Sequence, residues 1–275
     1  MTTSMRIGDL DFLLLSDGVL KTSVDFVVGM ERERARRLLG ADEAGSVFIP
    51  VNNFLFRRQE RIILIDAGAG DTMQPTLGRL PQELRSAGVD PSTITHIVLT
   101  HLHPDHANGL VDNDGKAIYE NAELLVLAKE LDFWMAENSG SEPQSVIRIR
   151  ARNKINLKPY LHRIRTMREG EEAFGCSPIL AVGHSPGHTC WRIEAGSAAV
   201  LAWGDCVHFS RIQIAHPDVA VTYDLDAEQA RASRRRILEL AASERLAIAG
   251  AHVAAPGVGH VSRQGDGFSF EPAAA

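Results

Sequence analysis

Nothing in this sequence is apolar for long enough to enter a bilayer. The amino-terminal MTTSMRIGDLDFLLLSDG has one arginine and a single four-residue apolar run, Phe12 to Leu15. A secretory signal needs a longer hydrophobic region, and a membrane helix needs about 20 residues. Neither export nor membrane attachment is expected, and the expected compartment is the cytoplasm. Cysteine is scarce: Cys176, Cys190 and Cys206 are odd in number and form no CxxC pair, which argues against a disulfide framework and suits a reducing setting. Charge of one sign is lacking as well. With 29 Lys and Arg against 35 Asp and Glu, the net charge of −6 leaves no electrostatic footprint for nucleic acid or an anionic membrane. No Pro-, Gly- or Ser-rich linker, low-complexity tract or repeat divides the chain, so residues 1–275 are expected to form a single domain.

What is present is a dense polar cluster. Residues 100–108 read THLHPDHAN, placing His101, His103, Asp105 and His106 within six positions behind the apolar run Ile97-Val98-Leu99. That run has the length and branching of a buried strand. Pro104 prevents the segment from simply continuing as sheet or helix, so the polar residues should sit on a tight loop at the strand's end, where α/β proteins bind ligands. Imidazoles and a carboxylate at this density suit divalent zinc, manganese, iron or cobalt. A lone histidine there would read as structural; four candidate ligands do not.

Along the rest of the chain, Asp11 to Ser16 reads as a first strand ending at the turn signal Asp17-Gly18, and Met30 to Leu39 as a helix stopped by Gly40. Val47 to Arg57 and Arg61 to Ile65 read as a hairpin. The second strand leads into Asp66-Ala67-Gly68-Ala69-Gly70, a loop that brings backbone close to something without matching a dinucleotide fingerprint. Leu77 to Ala87 reads as a helix, Ala122 to Leu127 as a strand, Lys129 to Glu137 as an aromatic-rich helix, and Val146 to Leu161 as a basic helix on the surface. Cys190 to Glu194 and Ala198 to Trp203 form an expected hairpin. A helix capped by Asp226 and Gln229 runs to about Ser243, with Arg234-Arg235-Arg236 read as solvated. Two strand-rich halves separated by helices suggest an α+β fold of two sheets packed face to face with helices outside.

Three further segments repeat one arrangement, an apolar strand ending in a candidate ligand. Ile179 to Val182 precedes Gly183-His184-Ser185-Pro186-Gly187-His188, Val200 to Trp203 precedes Gly204-Asp205, and Leu246 to Gly250 precedes Ala251-His252. Glycine beside the first two lets backbone approach a metal without a Cβ intervening.

On these motifs the chain resembles the metallo-β-lactamase superfamily. HLHPDH matches its HxHxDH signature, GHSPGH its later histidine motif, GDC its bridging-aspartate strand and AGAH its last ligand. PTLGRLPQELRSAG, the Phe133-Trp134 pair, WGDCVHF and AHVAAPGVGHV are similar to the branch containing methyl parathion hydrolase and related lactonases. The resemblance covers about Phe12 to His260. It implies a four-layer αββα sandwich of two mixed β-sheets and two divalent ions per chain, zinc foremost, with Mn, Fe or Co as alternatives. His101, His103 and His184 would hold the first ion, Asp105, His106 and His252 the second, and Asp205 would bridge them. His188 would support the ligands from behind.

The implied chemistry is attack by a hydroxide shared between the two ions on an ester or lactone, with organophosphotriesters as further substrates. Asp105 is either a ligand alone or also a proton shuttle to the leaving group. His208 stands where acyl-homoserine-lactone lactonases carry a tyrosine that hydrogen-bonds the substrate carbonyl; it is expected to face the metals and contact substrate, the alternative being a structural histidine. Cys206, beside Asp205, should point to the opposite face as a small buried hydrophobe. Phe26, Trp134 and Phe209 are candidates for the substrate wall, with the core as the competing place for each. A glyoxalase II-like thioesterase is the alternative hydrolase, disfavoured because only 23 residues (275 − 252) follow His252. A mononuclear iron oxygenase of persulfide dioxygenase type is the alternative from another class. The expected partner is a small-molecule substrate, and a homodimer is a family expectation.

Overall fold

The computed structural model describes residues 3–273. Strands are β1 (Thr3–Ile7), β2 (Leu10–Ser23), β3 (Val27–Val28), β4 (Ser46–Arg58), β5 (Arg61–Ile65), β6 (His96–Val98), β7 (Glu123–Leu127), β8 (Ile164–Met167), β9 (Cys176–Leu180), β10 (Thr189–Ala195), β11 (Ala198–Ala202), β12 (Ala220–Val221), β13 (Ala247–Ala249), β14 (Val258–Gln264) and β15 (Gly267–Pro272). Helices are α1 (Arg32–Leu39), α2 (Leu80–Ser86), α3 (Pro104–Ala107), α4 (Ala128–Met135), α5 (Gln144–Leu157), α6 (Ser210–Gln213) and α7 (Ala227–Ser243).

A seven-stranded sheet runs β1-β2-β4-β5-β6-β7-β8 and a six-stranded one β15-β14-β13-β11-β10-β9. Both are mixed, with parallel pairing at β5/β6, β6/β7, β7/β8 and β11/β13 and antiparallel pairing elsewhere. Alternation along each strand explains the layering. Ile63 and Ile65 meet Trp191, Ile193 and Val200 in a core between the sheets, while Leu64 faces the other way with Leu80, Leu84 and Trp134. On the second sheet Leu201 and Ile248 turn outward to Ile237, Leu238 and Ala241 of α7. Central strands buried on both faces therefore read as unbroken apolar runs. Among the described residues no helix is long and apolar enough to cross a membrane.

Helix ends follow local chemistry. Asp226 accepts from Gln229 N at 3.0 Å at the start of α7, and Gly40 closes α1 in the left-handed conformation with φ of 64°. Three expectations need correction. Asp17-Gly18 is no turn: β2 continues through it, and the register against β4 shifts between Ser16 and Gly18. That bulge sends the Asp17 carboxylate inward, where it accepts from Ala69 N at 2.9 Å, Gly78 N at 3.1 Å and Leu80 N at 3.0 Å. The basic segment after Val146 is not simply surface, because Val146, Arg150, Asn153 and Asn156 of α5 are buried. Arg234 is not solvated; it is 1% exposed and bonded to backbone carbonyls.

Candidate metal centre

Four strands deliver polar residues to one edge of the sandwich. β6 leads to His101 and His103, and Pro104 opens the four-residue α3 that carries Asp105 and His106. The turn between β9 and β10 carries His184 and His188, the turn after β11 carries Asp205, and the turn after β13 carries His252. All are buried, His103 and Asp105 being the most exposed at 8% each.

The seven residues form two groups whose ligand atoms lie within 4.8 Å of one another: His101, His103, His184 and Asp205, and Asp105, His106, Asp205 and His252. Asp205 belongs to both, and its two oxygens face different ways. Oδ2 lies 3.2 Å from His184 Nε2 and 3.6 Å from His101 Nε2, while Oδ1 lies 2.9 Å from His106 Nε2 and 3.0 Å from His252 Nε2. Asp105 Oδ2 closes the second group at 3.6 Å from His252 Nε2 and 3.7 Å from His106 Nε2. In the first, His103 Nδ1 and His184 Nε2 stand 2.7 Å apart.

The imidazoles are aimed from behind. His106 Nδ1 donates to Asp66 Oδ2 at 2.7 Å, His184 Nδ1 to Asp224 Oδ1 at 3.1 Å, and His252 Nδ1 to Pro50 O at 2.8 Å. Each such bond fixes the tautomer that leaves the Nε2 lone pair pointing inward. His101 Nε2, His106 Nε2, His252 Nε2 and Asp205 Oδ1 are nevertheless buried without a hydrogen-bond partner. Buried polar atoms are ordinarily paired, so convergent orphans of this kind fit a pair of cations. Electrostatics agrees. Burial works against charge on His106, yet the carboxylates of Asp205, Asp105 and Asp66 outweigh it and hold the imidazole well above its ordinary range. His184 is pushed up to about 9 against burial, chiefly by Asp205 and Asp224. The pocket draws positive charge.

His188 stands outside both groups: its Nδ1 meets Ala181 O at 3.1 Å and its Nε2 accepts from Asp205 N at 2.9 Å. Burial pushes that imidazole down to about 3, which keeps it a neutral acceptor. His208 faces the centre, with Nε2 2.9 Å from Asp205 Oδ2 and its ring against His184. Cys206 packs away from the ligands with Cys190, Trp203 and Val207. Phe209 is 1% exposed in a cluster with Val24, Ala35 and Ile212 and does not line the cavity at the centre; it anchors the turn after His208 instead.

That cavity has a volume of about 480 Å³. His103, Asp105, His184, Asp205 and His208 form its floor, and Leu20, Phe26, Met73, Trp134, Ile149 and Leu225 its apolar wall. Trp134 serves core and cavity alike, since it is fully buried and donates to Glu130 Oε1 at 2.7 Å. Sequence reasoning missed Asp66, Asp224 and Glu130. Glu130 is fully buried and accepts from Leu102 N at 2.9 Å, Ser185 Oγ at 2.6 Å and Gly187 N at 2.9 Å, which ties the two histidine loops together. Asp66 alone left a trace, in the glycine-rich loop that it opens with a left-handed φ of 59°.

A two-sheet sandwich presenting two cation sites that share one carboxylate is the architecture of a metal-dependent hydrolase. The chain belongs to the metallo-beta-lactamase superfamily, whose sequence pattern matches residues 47–252. It is similar to the N-acyl homoserine lactonase AiiB of Agrobacterium fabrum (strain C58 / ATCC 33970), 33% identical across 42% of this chain and 46% of that one. The match thus spans about half the length of that relative. Two solved structures align along the whole chain, each over 100% of it and 98% of the other. One is the hydrolase AbOPH of the beta lactamase superfamily, at 27% identity and a TM-score of 0.94. The second is AidC, a dizinc quorum-quenching lactonase in complex with a product, at 26% identity and a TM-score of 0.92.

Proposed function

We propose that the protein hydrolyses a lactone or carboxylic ester bearing an apolar substituent, using two divalent cations of which zinc is the foremost candidate. The observation carrying this reading is Asp205, whose two oxygens each face a separate set of buried imidazole nitrogens, three of them without a hydrogen-bond partner. In the roles proposed, His101, His103 and His184 hold one cation, Asp105, His106 and His252 the other, and Asp205 joins them. Two cations held there would supply Lewis acidity toward a carbonyl or phosphoryl oxygen and would lower the pKa of water towards neutral.

The chain's own residues do the rest. The apolar wall seats the substituent and excludes water, which strengthens the electrostatic interactions on the floor of the cavity. His208 lines the cavity beside Asp205 and is placed to hydrogen-bond the carbonyl oxygen of a bound substrate. Asp105 also faces the cavity and can pass a proton to the departing oxygen. Support for the lactone class comes from AiiB and AidC, both lactonases, and the apolar wall suits an acyl or aryl substituent. Phosphotriesters share the geometry of attack and belong in the test as secondary substrates.

The test is metal analysis of the purified protein together with turnover of lactones, esters, thioesters and phosphotriesters. Two cations per chain with fastest turnover of lactones or esters is the expected result. About one cation per chain, or a clear preference for thioesters, would overturn it in favour of an oxygenase or a thioesterase.

A further inference from the structure

Helix α7 reaches the metal centre through one arginine. Arg234 lies on the inner side of α7, and its Nε donates to Cys206 O at 2.7 Å. Its Nη1 donates to Pro217 O at 2.9 Å and to Val219 O at 2.8 Å, and its Nη2 stands 3.7 Å from Asp224 Oδ2. Asp224 has no exposed side-chain surface; its Oδ2 accepts from Val221 N at 3.2 Å and its Oδ1 takes His184 Nδ1 at 3.1 Å. A guanidinium offers five donors in a fixed fork, so one side chain can satisfy three carbonyls and still face a carboxylate. A carboxylate buried without a cation beside it would be costly, and a neutral one would orient His184 less firmly.

The second cation group shares Asp205 with the first, but its imidazoles have no such tether. The outer nitrogens of His106 and His252 are held by Asp66 and by Pro50 O, both on the first sheet's side of the centre. We propose that Arg234 is a positioning residue that acts mainly on one cation. It fixes the backbone beside Asp205 through Cys206 and the imidazole of His184 through Asp224. The set of His101, His103, His184 and Asp205 therefore depends on α7 through two of its residues, whereas the set of Asp105, His106, Asp205 and His252 shares only the arm that ends at Asp205. This rests on the two-cation reading of the site.

The test uses the full-length protein and zinc or cobalt as the probe, with each ion's affinity measured by chelator competition and the cobalt absorption spectrum followed site by site. Asp224→Asn is expected to weaken one ion by about 10- to 100-fold and leave the other at its wild-type affinity, and Arg234→Met to weaken the same ion by more than the other, which feels it only through Asp205. A purely structural role would lower the melting temperature without that selectivity. Unchanged affinity for both ions, or equal weakening of both, in either folded variant overturns the proposal. Should Arg234→Met fail to fold, Arg234→Lys replaces it, since it keeps the charge and loses the fork, and the same outcomes decide. Fewer than two ions in the wild-type protein would instead overturn the functional reading on which this inference stands.

Discussion

His208 occupies an unusual position among the buried imidazoles. Its Nε2 lies 2.9 Å from Asp205 Oδ2, yet its Nδ1 is buried without a partner. A core histidine would ordinarily have both nitrogens satisfied. The one proton of the neutral ring sits on Nε2 beside Asp205, so that N–H is the donor a substrate oxygen would meet, and we expect His208→Ala to lower kcat by about 100-fold, the range seen when one donor to a developing oxyanion is removed, with two cations still bound. Unchanged kcat and KM on the best substrate would refute the contact. Asp17 supports a second prediction. Burial raises its carboxyl to about 6, against the lowering effect of the N–H groups of Ala69, Leu80 and Gly78. Its folded pKa exceeds its unfolded one, so its contribution to stability is fully present below about pH 4 and is lost as pH rises through about 6. The rise corresponds to roughly 3 kcal/mol. Denaturation of Asp17→Asn beside wild type from pH 4 to 8 should therefore show the difference moving in the variant's favour with pH. A difference constant with pH would count against this account. Among single residues, the candidate ligands were legible because each follows an apolar strand within a short motif. Arg234 was obscured by Arg235 and Arg236, although Ala230, Ile237, Leu238 and Ala241 stand at helical spacings of three, four and seven from it and share its buried face. Asp224 and Glu130 carried no local signal, since lone carboxylates are normally solvated.

At the scale of elements, the centre depends on two loops clamped against the start of α4. Gly187 must remain glycine: a Cβ there would lie 2.2 Å from Glu130 N and 2.6 Å from Glu130 Cα, and backbone cannot yield as a flexible side chain does. Gly187→Ala should cost about 2–4 kcal/mol and move the His184 loop away from Leu102 and the His101 loop. A melting temperature and metal content like those of wild type would show that the loop tolerates the methyl group. The cavity wall is a separate element-level feature, assembled from β2 with the turn after it, the loop at Met73, α4, α5 and the segment before α7. Phe26, 37% exposed and tilted on Tyr223, contributes apolar area on the open side. Phe26→Ala is expected to raise KM by about tenfold for substrates with long apolar substituents and to leave short ones little changed, because the contact is made equally in ground and transition states. Equal effects on short and long substrates would place the substituent elsewhere. Strand and helix positions were largely legible from period and caps. The wall was not, because its residues come from five separated segments that only the tertiary fold brings together.

Over the whole molecule, the two cation sites sit across the seam of the sandwich. His101, His103, Asp105 and His106 follow β6 of the seven-stranded sheet, whereas His184, Asp205 and His252 follow β9, β11 and β13 of the six-stranded one. Each group in the centre therefore draws ligands from both sheets. An ion bound only by the folded chain stabilises it by about 2.7 kcal/mol when free metal is a hundredfold above Kd. Two such ions together supply roughly 5 kcal/mol. At the usual few degrees per kcal/mol for a chain of this size, complete chelation should lower the melting temperature by about 10 °C or more. Restoring zinc should recover it in proportion to the logarithm of free metal. The sheets would also come apart more readily at this edge, so amide exchange in residues 100–108 and 183–188 should accelerate more on stripping than exchange in β14 and β15 at the far edge. A melting temperature indifferent to chelation, in protein shown to hold two ions beforehand, would mean that the sandwich core alone fixes the seam and that the cations serve chemistry without holding the halves together.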